Sequence, residues 1–238
     1  MARVVLNSVS LAGDSSPILQ SIDLTFDPGS IHLILGRNGS GKSMLLRVSA
    51  GLRRPKTGRV SLHTAAGTVT DRSKIMQHTA FAFQHAATQL LESTVIEDLR
   101  SCAACQASLD HAIDTMQLQH LLTRDPATLS GGEQRRAALG GVLATRGAVV
   151  LMDEPFAGLD YLLELALLQA LLAERDRGAA VVVSAHDARD VIAHCDRVTI
   201  LAGGSVAWTG DASDLDDATL IAAGLRPLAS DTAGSVRR

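Results

Sequence analysis

The chain has 238 residues, 46% of them hydrophobic and 20% charged, with three cysteines and a formal net charge of −3. That length suffices for one large domain or for a core carrying a smaller lobe, and the slightly acidic balance gives no electrostatic reason to expect nucleic acid or an anionic lipid surface as the main partner. Three cysteines make no disulfide framework, in keeping with a reducing compartment.

Taken from the start, residues 1–13 alternate apolar and polar side chains as a strand does. They carry neither the basic start nor the apolar block of a secretion signal, so the chain is expected to stay in the cytoplasm. A second strand, residues 31–35, runs directly into Gly36, Arg37, Asn38, Gly39, Ser40, Gly41, Lys42 and Ser43, with a helical pattern beginning at Ser43. This is the strand, glycine-rich loop and helix of a phosphate-binding site. Its amides curl toward phosphate oxygens, the helix start adds positive dipole, Lys42 faces the β and γ phosphates, and Ser43 is suited to Mg²⁺. Alone, the loop marks a nucleoside triphosphate site without separating kinase, GTPase or motor. A glycine turn with a surface lysine is the plainer alternative.

A third strand is expected over residues 80–83, ending at Gln84. Strand signal then disappears until residue 128, and residues 96–107 and 109–122 read as helices of an inserted lobe. Within it Cys102 and Cys105 form a CxxC. With no second ligand pair nearby, they read as two small residues one helical turn apart rather than as a metal or redox site. Leu129, Ser130, Gly131, Gly132 and Glu133 open a further helix, since Ser130 and Glu133 have the spacing of a capping box. Two glycines at a helix start also leave amides open to an anion.

The apolar run at 148–152 reads as a buried strand ending in Asp153 and Glu154. Alternation along an extended chain gives the two carboxylates different directions, one suited to a metal shell and the other to polarising a water. A solvated turn at Pro155 is the plainer account. Residues 161–173 are apolar but interrupted by Glu164 and Gln169 and fall short of the ~20 residues that span a bilayer, so any membrane step belongs to another chain. Strands at 180–184 and 198–201 complete a pattern of continuous apolar strands between helices, which predicts an α/β core with a mostly parallel sheet. His186 follows the first of these, where a surface histidine is the ordinary case. The end, 230–238, is small and polar and is expected to be a flexible tail.

Together, LSGGEQRR at 129–136, the phosphate loop, Gln84 after FAF, the Asp153–Glu154 pair, Gly158, Leu159 and Asp160, and His186 occur in an order that resembles the ABC transporter ATPases over most of the chain. The resemblance implies a P-loop NTPase, RecA-like α/β core formed by residues 1–83 and 148–238, with an N-terminal antiparallel β subdomain and an inserted helical subdomain at 84–147. It also implies ATP and Mg²⁺ as cofactors. Lys42, Glu154 and His186 would act on the γ phosphate, Glu154 as water activator. Ser43, Gln84 and Asp153 would stand around the metal. Gly36 to Met44, Gln84, Ser130, Gly131, Gly132, Glu133 and Asp160 would contact or enclose nucleotide, the signature residues reaching the site held by an opposite subunit.

The expected partners are a second ABC ATPase subunit, identical or different, an integral membrane coupling or permease protein and a substrate-binding membrane subunit, at the cytoplasmic face of the membrane. No nucleic acid is expected. The segment 83–99, FAGLD at 156–160 and IAAGLRPL at 221–228 resemble the energy-coupling-factor and cobalt and nickel importers. A soluble cassette of DNA repair, chromosome structure or translation is the first alternative; a non-catalytic cassette paired with an active one is the second.

The sequence departs from the family pattern in three places. No aromatic precedes Phe26, so adenine stacking near Ser10, Leu11 or Ala12 is missing, with Leu11 the apolar substitute. Met44 replaces a hydroxyl residue near the α phosphate. The helical lobe is compact, which would narrow the groove for a membrane coupling helix.

Overall fold

Alternation in the first strand sets the outer layer. In the computed structural model, which describes residues 1–13, 16–84, 88–189 and 191–228, β1 (Ala2–Ala12) buries Ala2, Val4, Leu6, Val9 and Leu11. Between Leu6 and Val9 the period of two slips, and a bulge absorbs it. Ser8 takes φ 47 there and donates its N–H to Asp23 Oδ1 at 2.7 Å. With β2 (Pro17–Phe26), β4 (Thr57–Thr64) and β5 (Gly67–Val69), β1 makes an antiparallel sheet in the order β2-β1-β4-β5.

The second sheet is made of β3 (Ser30–Leu35), β6 (Thr79–Ala82), β7 (Val149–Asp153), β8 (Ala180–Ala185), β9 (Arg197–Ala202) and β10 (Ser205–Asp211), in the order β10-β9-β3-β8-β7-β6. Only the β9–β10 pair is antiparallel. Both faces are covered, which is why β7 is apolar up to its terminal Asp153 and β8 is apolar apart from Ser184. Val182 and Leu151 join a core with the antiparallel sheet and α1 (Lys42–Ser49), while Val183 and Met152 join one with the helices. This matches the expected α/β architecture.

The helices are completed by α2 (Arg72–Gln77), α3 (Val95–Cys102), α4 (Gln106–Thr115), α5 (Gly131–Thr145), α6 (Tyr161–Asp176) and α7 (Asp217–Ala222). The two helices expected over 96–107 and 109–122 have other limits. The first stops at Cys102 because Ser108 folds back to accept the Cys105 N–H, starting α4, while the Ala104 N–H leaves for Ala144 O at 2.9 Å. The second stops at Thr115 because Gln117 adopts φ 51 and the Leu118 N–H reaches Ile113 O, a Schellman end. Cys102 therefore closes one helix and Cys105 caps the next; they do not stand one turn apart on a single helix. The tail at 230–238 lies outside the described residues.

One buried group gives this fold a pH dependence. His32 on β3 is 2% exposed, bonds Thr199 Oγ1 through Nε2 at 2.8 Å and meets Phe26 edge-on at 5.0 Å. Burial, helped by the Arg197 charge, lowers its pKa to about 3. The unfolded chain binds this proton near the ordinary value and the folded chain does not. Stability is therefore full above about pH 6.5 and falls as pH drops toward 3, by about 1.4 kcal/mol per pH unit from this residue. Chemical denaturation across that window should show a steeper acid loss for the wild type than for His32→Gln; equal slopes would remove His32 from the account.

Candidate nucleotide site

Four adjacent parallel strands, β3, β8, β7 and β6, end on one edge of the sheet, so whatever follows each is gathered there. After β3 come residues 36–43, after β8 His186, after β7 the Asp153–Glu154 junction, and after β6 Phe83 and Gln84. The four segments lie far apart in sequence, and the strand order alone collects them.

The loop after β3 requires glycine for reasons internal to the chain. Gly41 has φ +104, and a Cβ on it would come within 2.9 Å of Leu19 Cδ2 and 3.0 Å of Ile18 O. At Gly36 a Cβ would meet Ser40 Oγ at 2.4 Å and Leu201 O at 2.6 Å. Lys42, 5% exposed, donates through Nζ to Gly36 O at 2.7 Å and Arg37 O at 3.3 Å and lies 3.7 Å from Glu154 Oε1. Burial lowers its pKa, against the opposing pull of the Glu154 and Asp153 charges. The cavity over this loop is about 330 Å³ and is lined by Ile18, residues 38–44, Gln84 and Glu154.

The two carboxylates behave differently. Asp153 is 1% exposed; its Oδ1 accepts from Ser184 Oγ at 2.7 Å, and its Oδ2 has no hydrogen-bond partner among the described residues. A buried carboxylate oxygen without a donor suits a cation such as Mg²⁺, which takes oxygen ligands. Glu154 instead turns outward. Its backbone is left-handed, φ 51, a cost of about 1 kcal/mol or more for a non-glycine residue. Its N–H is held by Ser184 Oγ at 3.0 Å, and its Oε2 accepts from Gln84 Nε2 at 3.3 Å.

His186 is exposed and lines a cavity of about 140 Å³ with Glu154, Gly158 and Asp187, and a second of about 420 Å³ with Arg37, Asn38 and Arg226. Asp160 is the N-cap of α6, accepting the Leu163 N–H at 3.0 Å. Ser130 caps α5: its Oγ accepts the Glu133 N–H at 3.3 Å, while Glu133 Oε2 accepts the Ser130 N–H at 2.8 Å. The bonds from Ser130, chiefly its backbone, hold the Glu133 carboxyl below the usual range. Among the described residues, none of 130–133 lines the cavity over the phosphate loop.

Two residues of this region were not anticipated from sequence. Ser184 ties Asp153 to Glu154; a hydroxyl inside the apolar run AVVVSA was the available signal, because a buried hydroxyl needs a partner. Arg135, from the α5 side, donates to the carbonyls of Glu154, Pro155 and Gln84. Nothing in the run of two arginines distinguishes it from Arg136.

Leu11 and Ile18 are placed differently with respect to the phosphate loop. Leu11 is 5% exposed and packed in the core, whereas Ile18 fronts the phosphate-loop cavity. An aliphatic wall discriminates poorly between purines, since aromatic stacking worth about 1–3 kcal/mol per base is absent. Turnover with ATP and GTP should therefore give kcat/KM values within about tenfold of each other. A hundredfold preference for ATP would require another base-reading residue.

Residues 19–157 match the family model described as ABC transporter. The chain is 37% identical over 224 residues to the cobalt import ATP-binding protein CbiO of Rhodobacter capsulatus, covering 88% of this chain and 79% of that protein. It is 34% identical to the nickel import ATP-binding protein NikO of the same organism, with 88% and 89% covered. It is 35% identical to the energy-coupling factor transporter ATP-binding protein EcfA2 of Lactiplantibacillus plantarum, with 81% and 70% covered. Among solved structures, an ATP-binding subunit of an ABC transporter superposes with a TM-score of 0.78 at 24% identity, covering 89% of this chain and 90% of that one. A dimeric cassette in a post-hydrolysis state with ADP and Pi superposes at 0.74, also at 24% identity, covering 88% and 98%. These two likenesses establish the fold.

Proposed function

Starting from the premise that this chain belongs to the ABC transporter family, as an ATP-binding and ATP-hydrolysing subunit that drives transport through a separate membrane protein, we propose that its reactive centre is completed only by a second cassette. The observation that carries this reading is the make-up of the cavity over the phosphate loop. Lys42, Ser43, Gln84, Asp153 and Glu154 gather at one sheet edge, while Ser130, Gly131 and Gly132 front no part of that cavity.

Gly131 and Gly132 add a second support. Neither has positive φ, and a Cβ on either would meet nothing within 4 Å. Glycine at the start of α5 is a poor helix former, by up to about 1 kcal/mol each relative to alanine, and nothing among the described residues calls for it. Close approach by a phosphate held on the partner supplies a reason.

The chemistry then follows from position. Lys42 and the loop amides hold the β and γ phosphates, the α5 N-terminus of the partner subunit closes over the γ phosphate, and His186 bonds it. Glu154 orients a water for in-line attack and accepts its proton. Mg²⁺ held by Ser43, Asp153 and Gln84 would offset charge shared between the β and γ oxygens. Asp160, at the start of α6, links the two sites across the seam. Positioning and electrostatics carry the rate, as phosphoryl transfer offers little covalent work to a protein.

No helix among the described residues is long and apolar enough to cross a membrane. The membrane step is assigned to an integral coupling protein that meets this chain on the cytoplasmic side, beside a substrate-binding membrane subunit. Relatives named for cobalt import and nickel import support a metal ion as cargo, and the resemblance to the energy-coupling-factor importers adds a vitamin as the other cargo to test. Reconstitution in vesicles with those two membrane proteins should give ATP-dependent accumulation of cobalt, nickel or a vitamin. ATP-driven release, or hydrolysis with no such movement, would overturn the import reading.

A further inference from the structure

The left-handed backbone of Glu154 needs something to hold it, and one side chain from the helical lobe reaches it. The Arg135 Nη2 donates to Glu154 O, its Nε to Pro155 O at 3.4 Å, and its Nη1 to Gln84 O at 3.5 Å. One guanidinium thus joins α5, capped by Ser130, to the segment bearing the water-activating carboxylate and to Gln84, two residues after β6. We propose that Arg135 is a positioning residue through which the orientation of the signature helix sets the backbone of Glu154 and Gln84, so that water activation is enabled only when that helix is seated.

The proposal rests on the reading of Glu154 as the water activator and extends it to how that group is switched. Three carbonyls on two separate segments match the planar fork of arginine, with its five donors. A lysine ammonium in the same place can serve one or two of them. The guanidinium is half-buried, and burial pulls its pKa down against the neighbouring Glu154 and Asp153 charges. On the far side, Ser184 fixes the Glu154 N–H at 3.0 Å and Asp153 Oδ1 at 2.7 Å. Glu154 is therefore held at its N–H by the core and at its carbonyl by the helical lobe. If α5 turns away, Glu154 keeps the Ser184 bond at its N–H and only the long Ala157 N–H bond of 3.3 Å at its carbonyl, and the strained φ of 51 loses the charged donor that helps offset it.

The test is steady-state and single-turnover ATP hydrolysis by the chain assembled with its membrane partner. Arg135→Ala should lower kcat about tenfold while changing KM for ATP by less than about twofold. Arg135→Lys should recover part of the loss, and it keeps the test decisive where the alanine variant folds poorly. In a Glu154→Gln background, Arg135→Ala should subtract nothing further, because both changes remove one function.

An Arg135→Ala enzyme with wild-type kcat overturns the proposal. So does one that loses only ATP affinity, or one whose loss adds in full to that of Glu154→Gln. If Glu154→Gln alone leaves turnover intact, the assignment of Glu154 fails instead, and the two failures are told apart by that single variant.

Discussion

Replacing Glu154 by Gln lowers steady-state ATP turnover by about two to four orders of magnitude and leaves ATP binding intact. The amide preserves shape and can still accept from Gln84 Nε2, which lies 3.3 Å from Oε2. It cannot take a proton from water. Its effect on binding has the opposite sign to its effect on rate. The Glu154 carboxylate lies 3.7 Å from Lys42 Nζ, so it competes with phosphate for that ammonium. Neutralising it leaves Lys42 to the carbonyls of Gly36 and Arg37 and to the nucleotide. Affinity should be equal or higher, and a closed pair of cassettes should accumulate with unhydrolysed ATP, read by gel filtration and nucleotide analysis. Undiminished turnover would remove Glu154 from its role.

The second large effect comes from Gly132→Asp, a change that should help the isolated chain while disabling the assembly. Gly132 is the second residue of α5, has no need of positive φ, and a Cβ there meets nothing within 4 Å. An acid in the first turn complements the helix dipole and replaces a poor helix former, about 1 kcal/mol of gain. The melting temperature should stay level or rise by about 2 °C. Turnover should drop about a hundredfold or more, since a carboxylate then faces the γ phosphate held by the partner subunit. A variant that loses stability and activity together would point to a purely internal role for that glycine.

The sheet was readable in the sequence wherever burial on both faces removed alternation, as in Val149–Asp153 and Ala180–Ala185. The phosphate loop and the acidic pair were readable because each has a fixed local spacing next to such a strand. What was not readable depends on partners distant in sequence. The break after Cys102 is set by Ser108 and by a bond from Ala104 to Ala144 on another helix. The bulge at Ser8 depends on Asp23 of the neighbouring strand.

The same holds within the site. Arg135 lies 19 positions from Glu154 and 51 from Gln84, and Ser184 is separated from Asp153 by 31. No pattern along the chain predicts those meetings before the sheet order is known. Ile18, which lines the phosphate-loop cavity, was not singled out for a related reason. Alternation along β1 turns Leu11 into the core, and it is β2 that runs past Gly41.

The claim beneath all of this is that one chain supplies the phosphate loop and another the signature. It is tested most directly by co-assembling two inactive variants, Lys42→Ala and Gly132→Asp, each with its own affinity tag, and counting ATP analogue retained per purified mixed dimer. In such a dimer one composite site carries both lesions and the other carries neither. One nucleotide retained per mixed dimer, with none in either variant alone, is the predicted result. A mixed dimer that retains no more than its parents would mean that each chain completes its own site.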